Sequence, residues 1–137
     1  MKAKAYAKVN LGLQIRRRDT DGYHPLRGVF QTIDWNDDIT VEDADEDAME
    51  VPGGGAPGNE TNLAWRAVAA ARNVGTDAHP TRVVLTKRIP SPAGLGGGSA
   101  DAAAALNLAA GRFSASFDDV RRIAVDLGSD VPFAIVG

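Results

Sequence analysis

Lys87-Arg-Ile-Pro-Ser-Pro-Ala-Gly-Leu-Gly-Gly-Gly-Ser-Ala-Asp-Ala-Ala-Ala-Ala-Leu106 is the stretch on which the reading of this chain turns. A β-rich run, Arg82-Val-Val-Leu-Thr86, feeds a proline-punctuated turn, then four glycines within five residues, then a series of strong helix formers. Gly94, Gly96, Gly97 and Gly98 carry no Cβ, so the backbone there can take positive φ and lie close against a ligand. A helix starting at this point leaves its first N–H groups unpaired and carries about half a positive charge at that end. Glycine turn and helix start together make a cradle for phosphate. A Walker A loop would require Gly-Lys-Ser/Thr, whereas Gly98 is followed by Ser99-Ala100. The dinucleotide pattern G-x-G-x-x-G, counted from Gly94, ends on Ser99 and fails too. A flexible glycine linker would not be bordered directly by a strand and an alanine-rich helix. The segment reads as a nucleotide loop of another kind.

Around it stands a chain of 137 residues, 44% hydrophobic and 24% charged, the composition of an ordinary globular domain spanning 1–137. A net charge of −3 provides no basic field for nucleic acid, and the absence of cysteine excludes disulfides and thiolate metal sites. No apolar run has the length of a membrane span, and Met1-Lys-Ala-Lys-Ala-Tyr6 lacks a signal-peptide core, so the expected compartment is the cytoplasm with no membrane partner. Oligomeric state is not encoded in any feature of the sequence.

Upstream of the loop, residues 8–15 alternate strictly, with Val9, Leu11, Leu13 and Ile15 on one face and Lys8, Asn10, Gly12 and Gln14 on the other. Further strands are predicted at Gly28–Asp34 and Asp38–Glu42, joined by Trp35-Asn36-Asp37. Nine acidic residues fall between Asp34 and Glu50, but Ala48 and Gly54 occupy positions that a calcium loop reserves for Gly and Glu, so this is a solvated loop. Val51–Asn59 reads as a flexible connection. Thr61 or Asn62 caps a helix running to about Asn73, with Leu63, Ala67, Ala70 and Ala71 inward. The helix after the glycine loop is expected to end at Gly111. Ser116-Phe-Asp-Asp119 starts another, with Val120, Ile123, Ala124 and Leu127 at helical spacing up to Gly128. The closing segment reads as a strand. Trp35, Trp65 and His79 are core or loop residues. The fold class is α+β, a mixed sheet with helices on one side.

Four segments then line up in order: Ala7-Lys-Val-Asn-Leu11, Asp21-Gly-Tyr-His-Pro-Leu26, Pro90 through Asp101, and Leu127-Gly-Ser-Asp-Val-Pro-Phe133. Together they resemble the GHMP small-molecule kinases over essentially the whole chain, and within that family the branch that phosphorylates a cytidine-diphosphate-linked methylerythritol in the non-mevalonate isoprenoid pathway. The resemblance implies an N-terminal lobe with the architecture of ribosomal protein S5 domain 2, with a C-terminal lobe absent from this chain. It implies ATP and Mg²⁺ as cofactors and a kinase with an alcohol as acceptor. ATP would be held by Pro90, Ser91, Pro92, Ala93, Gly94, Leu95, Gly96, Gly97, Gly98, Ser99 and Ala100, with Asn62 and Lys87 toward the adenosine. Asp130 would accept the proton of the acceptor hydroxyl, and Lys8 would neutralise charge on the transferring phosphoryl group. Asn10, Tyr23 and His24 would bind the substrate, the tyrosine ring stacking on cytosine and the imidazole meeting its edge. Ser99 or Asp101 would neighbour the metal, although Asp101 also suits a helix start. Taken without the motifs, Asp130 reads as a turn aspartate, Lys8 as a surface strand lysine, and Tyr23-His24-Pro25 as a plain turn. Two alternatives stand beside this reading: another GHMP kinase of the homoserine or mevalonate type, or a non-catalytic nucleotide-binding lobe.

Overall fold

The computed structural model describes residues 1–15 and 26–136, so the expectations for Tyr23 and His24 lie outside the described residues. Its elements are β1 (Lys2–Ile15), β2 (Leu26–Asp43), β3 (Ala48–Glu50), α1 (Leu63–Val74), β4 (Thr81–Thr86), α2 (Gly97–Phe113), α3 (Phe117–Leu127) and α4 (Val131–Val136). The strands form one sheet in the order β1-β2-β4-β3, antiparallel except for the β3–β4 pair. The expected α+β class with a mixed sheet is what this arrangement is.

Period-2 burial explains the sheet face. Thr81, Val83 and Leu85 of β4 are buried at alternate positions and meet Ile39 and Val41 of β2. Against this face pack the alanine-rich sides of α1 (Ala64, Ala67, Val68, Ala71) and α2, whose nine buried residues run from Ala100 to Phe113. Alanine brings the helix axes close to the sheet without losing helix propensity. α2 is apolar nearly all round because it is enclosed: it touches β1, β2, α1, α3 and α4.

Several elements differ from the sequence reading, each for a local reason. β1 begins at Lys2 rather than Lys8, and its inward residues are Ala5 and Ala7, whereas Leu11 is exposed. The register against β2 shifts between Tyr6 and Lys8 and again between Asn10 and Gly12, and such irregularities re-aim side chains. The two predicted strands at 28–34 and 38–42 are one strand, since Asn36 and Asp37 remain paired with Tyr6 and Ala5. Part of the acidic stretch contributes β3, where Glu50 is drawn in by the Arg82 guanidinium.

α2 continues past Gly111 and ends at Ser114, a non-glycine residue at φ 56° whose hydroxyl donates to Asp77. Burial of Phe113 in the core draws the last turn inward. The closing segment is the helix α4, not a strand. The Val131 and Ala134 amides bond back to Gly128 and Asp130, and Pro132 falls in the first turn, where a missing N–H is tolerated. Val131 is therefore the first helical residue rather than an extended one.

Candidate active site

β1, the 88–96 loop, α2 and α4 converge on one pocket. Its cavity of about 250 Å³ is bounded by Lys8, Gly96, Ser99, Asp130 and Phe133 among others. The N-terminus of α2 is the part that invites an anion. α1 and α3 are capped by the side chains of Asn62 and Ser116, but α2 starts at Gly96 with φ 71° and no side-chain cap. The amide donors at Gly97, Gly98 and Ser99 thus open toward the loop's concavity. Gly94, at φ 70°, and Gly96 are the two places in the loop where positive φ makes glycine necessary. A second, shallower hollow of about 210 Å³ follows the loop from Pro90 to Ser99, with Leu63 and Lys87 in its wall.

Lys8 and Asp130 come from opposite ends of the chain and meet here, Nζ to Oδ2 at 3.1 Å. Lys8 is held on three sides. Its ammonium lies 4.4 Å from the centre of the Phe30 ring, which in turn packs on Phe133 at 5.1 Å, a favourable cation–π arrangement. Its backbone amide donates to the Leu95 carbonyl at 2.9 Å, tying β1 to the tip of the loop. Its side-chain carbons fill the space beside Gly96, where a Cβ would stand 2.8 Å from Lys8 Cε. Asp130 is fixed by the turn that opens α4, and about a third of its side chain remains exposed to the pocket.

Other residues named from the sequence lie outside the pocket between Lys8 and Asp130. Asn10 is exposed, and its Oδ1 accepts from the Gly12 amide at 3.1 Å within the irregular end of β1. Asn62 is buried and occupied on both sides, accepting from the Ala64 amide at 2.9 Å and donating to the Pro57 carbonyl at 2.7 Å. Lys87 is enclosed beneath the loop, 2.5 Å from Asp37 and 2.8 Å from Asp101. Asp101 lies one residue beyond the first turn of α2 and points down to Lys87, not into the pocket, which corrects its expected place at the helix start.

Asp37, Phe30 and Phe133 are the residues that sequence reasoning passed over. Phe133 belongs to the quoted Leu127–Phe133 segment and Phe30 to a predicted strand, so position was available for both. Asp37 was hidden among eight other acidic residues.

Burial governs the charges below the loop. Burial would raise Asp37, but bonds from the Arg88 and Ile89 amides and from Lys87 outweigh it and hold the carboxyl below its usual range. Burial pulls Lys87 down, and its two carboxylate partners more than reverse this, so it stays charged. Asp101 is pushed up to about 7, because burial exceeds what one already shared ammonium returns and Asp37 adds its own negative charge. Its Oδ1 is buried without a hydrogen-bond partner. The unfolded chain releases this proton near 3.8, while the folded chain keeps it to about 7, so stability falls as pH rises through that window. Asp101→Asn is therefore expected to gain in melting temperature relative to the parent between pH 5 and pH 7.5; identical pH curves for the two proteins would contradict the assignment.

Among the described residues, no group of three or more acidic or histidine side chains stands ready to hold a metal, and no helix is long and apolar enough to cross a membrane.

Comparison with known proteins gives the following. The family model described as GHMP kinases N terminal domain matches residues 62–137. The 4-diphosphocytidyl-2-C-methyl-D-erythritol kinase of Saccharopolyspora erythraea is 48% identical over 140 residues, covering 96% of this chain and 44% of that protein. The enzyme of the same name from Prosthecochloris aestuarii is 43% identical over 132 residues, covering 95% of this chain and 46% of its own length. A crystal structure of 4-(cytidine 5'-diphospho)-2C-methyl-D-erythritol kinase superposes with a TM-score of 0.84 at 39% identity, over 100% of this chain and 49% of that one. A mevalonate kinase structure shares the fold at a TM-score of 0.66 with 14% identity. The chain spans about half the length of the curated relatives it matches.

Proposed function

We propose, from the premise that this chain belongs to the GHMP kinase family as an N-terminal domain, that it forms the ATP-binding half of a kinase acting on 4-diphosphocytidyl-2-C-methyl-D-erythritol. The observation that carries this reading is the Lys8–Asp130 pair facing Ser99 across the mouth of an uncapped, glycine-framed helix start. Phosphoryl transfer asks chiefly for positioning and charge neutralisation, and those are the two things this arrangement offers.

In the proposed reaction, the loop amides and the Ser99 hydroxyl hold the ATP phosphates. The acceptor is the 2-hydroxyl of the substrate. Asp130 takes its proton as the new oxygen–phosphorus bond forms, and the bond from the γ-phosphorus to the bridging oxygen breaks, leaving ADP. Lys8, already against Asp130, stabilises the charge spreading over the transferred group. Ser99 supplies a hydroxyl on this pocket that would suit a hard cation keeping much of its water, while Asp130, engaged by Lys8 and by the acceptor's proton, would stay out of the cation's donor set. When bound, Mg²⁺ would neutralise phosphate charge there; Asp101 faces Lys87 and is not part of that set. Tyr23 and His24 would read the cytosine of a soluble small-molecule acceptor, in the cytoplasm, without nucleic acid or membrane.

ATP turnover by the purified protein should rise on addition of the cytidylated methylerythritol and stay at background with homoserine or mevalonate. Stimulation by either of those instead would replace the acceptor assignment. A second reading is ATP binding without turnover. It would show as tight ATP binding with no phosphorylated product from any acceptor.

A further inference from the structure

The ammonium of Lys87 sits where three elements and the glycine loop meet. Asp37 comes from β2, Lys87 from the end of β4 and Asp101 from α2, and all three side chains are almost fully buried. Two features make this more than an internal ion cluster. First, the Lys87–Asp101 bond, at 2.8 Å, closes the whole glycine segment at its base, because that segment leaves the sheet at Lys87 and re-enters regular structure just before Asp101. Second, the other oxygen of Asp37 accepts the backbone amides of Arg88 and Ile89, the first two residues of the same segment. One carboxylate thus sets the exit path of the chain, and one ammonium spans exit and re-entry. Above them, a Cβ placed at Gly97 would lie 3.3 Å from Lys87 Nζ and 2.9 Å from Ile89 Cγ2. The first helical residue of α2 therefore rests directly on the cluster.

We propose that Asp37, Lys87 and Asp101 are positioning residues for the nucleotide: a buried clamp that holds both feet of the glycine loop, so that its amides are aligned for phosphate before ATP arrives. The inference rests on the ATP-binding reading above and assigns Lys87 an indirect role through the loop in place of contact with adenosine. A clamp of hydrogen bonds depends on donor and acceptor geometry, so a substitution that preserves the bond should preserve the function. Preorganisation of this kind shows in ligand affinity, since a loop ordered only on binding lowers it.

The test is ATP affinity by calorimetry, with melting temperature measured in parallel, for four forms of the full chain. Lys87→Met and Asp101→Leu remove the clamp at similar volume, whereas Asp101→Asn keeps an acceptor for Lys87. Expected is ATP affinity near that of the parent in Asp101→Asn and weakened about tenfold or more in Asp101→Leu and Lys87→Met. Should Lys87→Met fail to fold, the Asp101 pair decides alone. A purely structural role would lower melting temperature while the folded protein bound ATP as tightly as the parent, and that result overturns the clamp. Failure of the unsubstituted chain to bind ATP overturns the nucleotide reading and the clamp with it.

Discussion

Asp130→Asn is expected to reduce phosphoryl transfer by about a thousandfold, with a melting temperature within about 3 °C of the parent. The expectation follows from where the carboxylate stands. It is partly open to the pocket, fixed by the turn preceding α4, and 3.1 Å from the Lys8 ammonium. Asparagine has the same shape and leaves the turn and the packing of α4 intact, but it cannot take a proton from an alcohol. ATP affinity should change little, because the proposed phosphate donors are on the loop. A steady-state comparison of kcat, KM for ATP and thermal melting settles it. Retention of more than about a tenth of the parent's kcat would place the proton acceptor elsewhere.

The second large effect is at Gly96. Alanine there must adopt φ near 71°, at a cost of roughly 1–2 kcal/mol for an L-residue, and its Cβ would sit 2.8 Å from Lys8 Cε and 3.0 Å from Lys8 Cγ. The strain cannot be relieved without moving either the loop or Lys8. Moving the loop misaligns the amides of Gly97 to Ser99, and moving Lys8 separates it from Asp130. Gly96→Ala is expected to lower kcat/KM for ATP by about a hundredfold, through both parameters. Gly111→Ala is the matched control, because its Cβ meets nothing within 4 Å and it lies inside α2, where alanine is the better helix former. An equal loss in the two variants would show that the loop geometry at Gly96 is not what matters.

Much of this site is legible in the sequence because its parts carry strong local signals. Glycine spacing, the missing Walker lysine and the adjoining alanines determine the loop and α2 with no tertiary information. Lys8 and Asp130 are legible only as motif members, since neither strand alternation nor a Gly-Ser-Asp turn says that they touch. What stays hidden is the supporting structure. Asp37 looks like one acid in a solvated run, yet its carboxylate is fully buried and serves two amides and an ammonium. That role depends on pairing across β1, β2 and β4, which no short window contains. α4 fails the sequence reading for a related reason. Val131-Pro-Phe-Ala-Ile-Val136 is apolar and β-branched enough to pass for a strand, but the Gly128 turn and the bonds back to Asp130 start a helix there. Propensity yields to tertiary context at the point where the Asp130 carboxylate meets Lys8.

The most direct test of the central claim is a crystal structure of the chain with a non-hydrolysable ATP analogue. The account predicts the triphosphate along Gly94–Ser99, amides donating to its oxygens, and the γ-phosphoryl end directed to the gap beside Lys8 and Asp130. An analogue bound away from the glycine loop, or bound there with its γ end turned from Lys8 and Asp130, would contradict it.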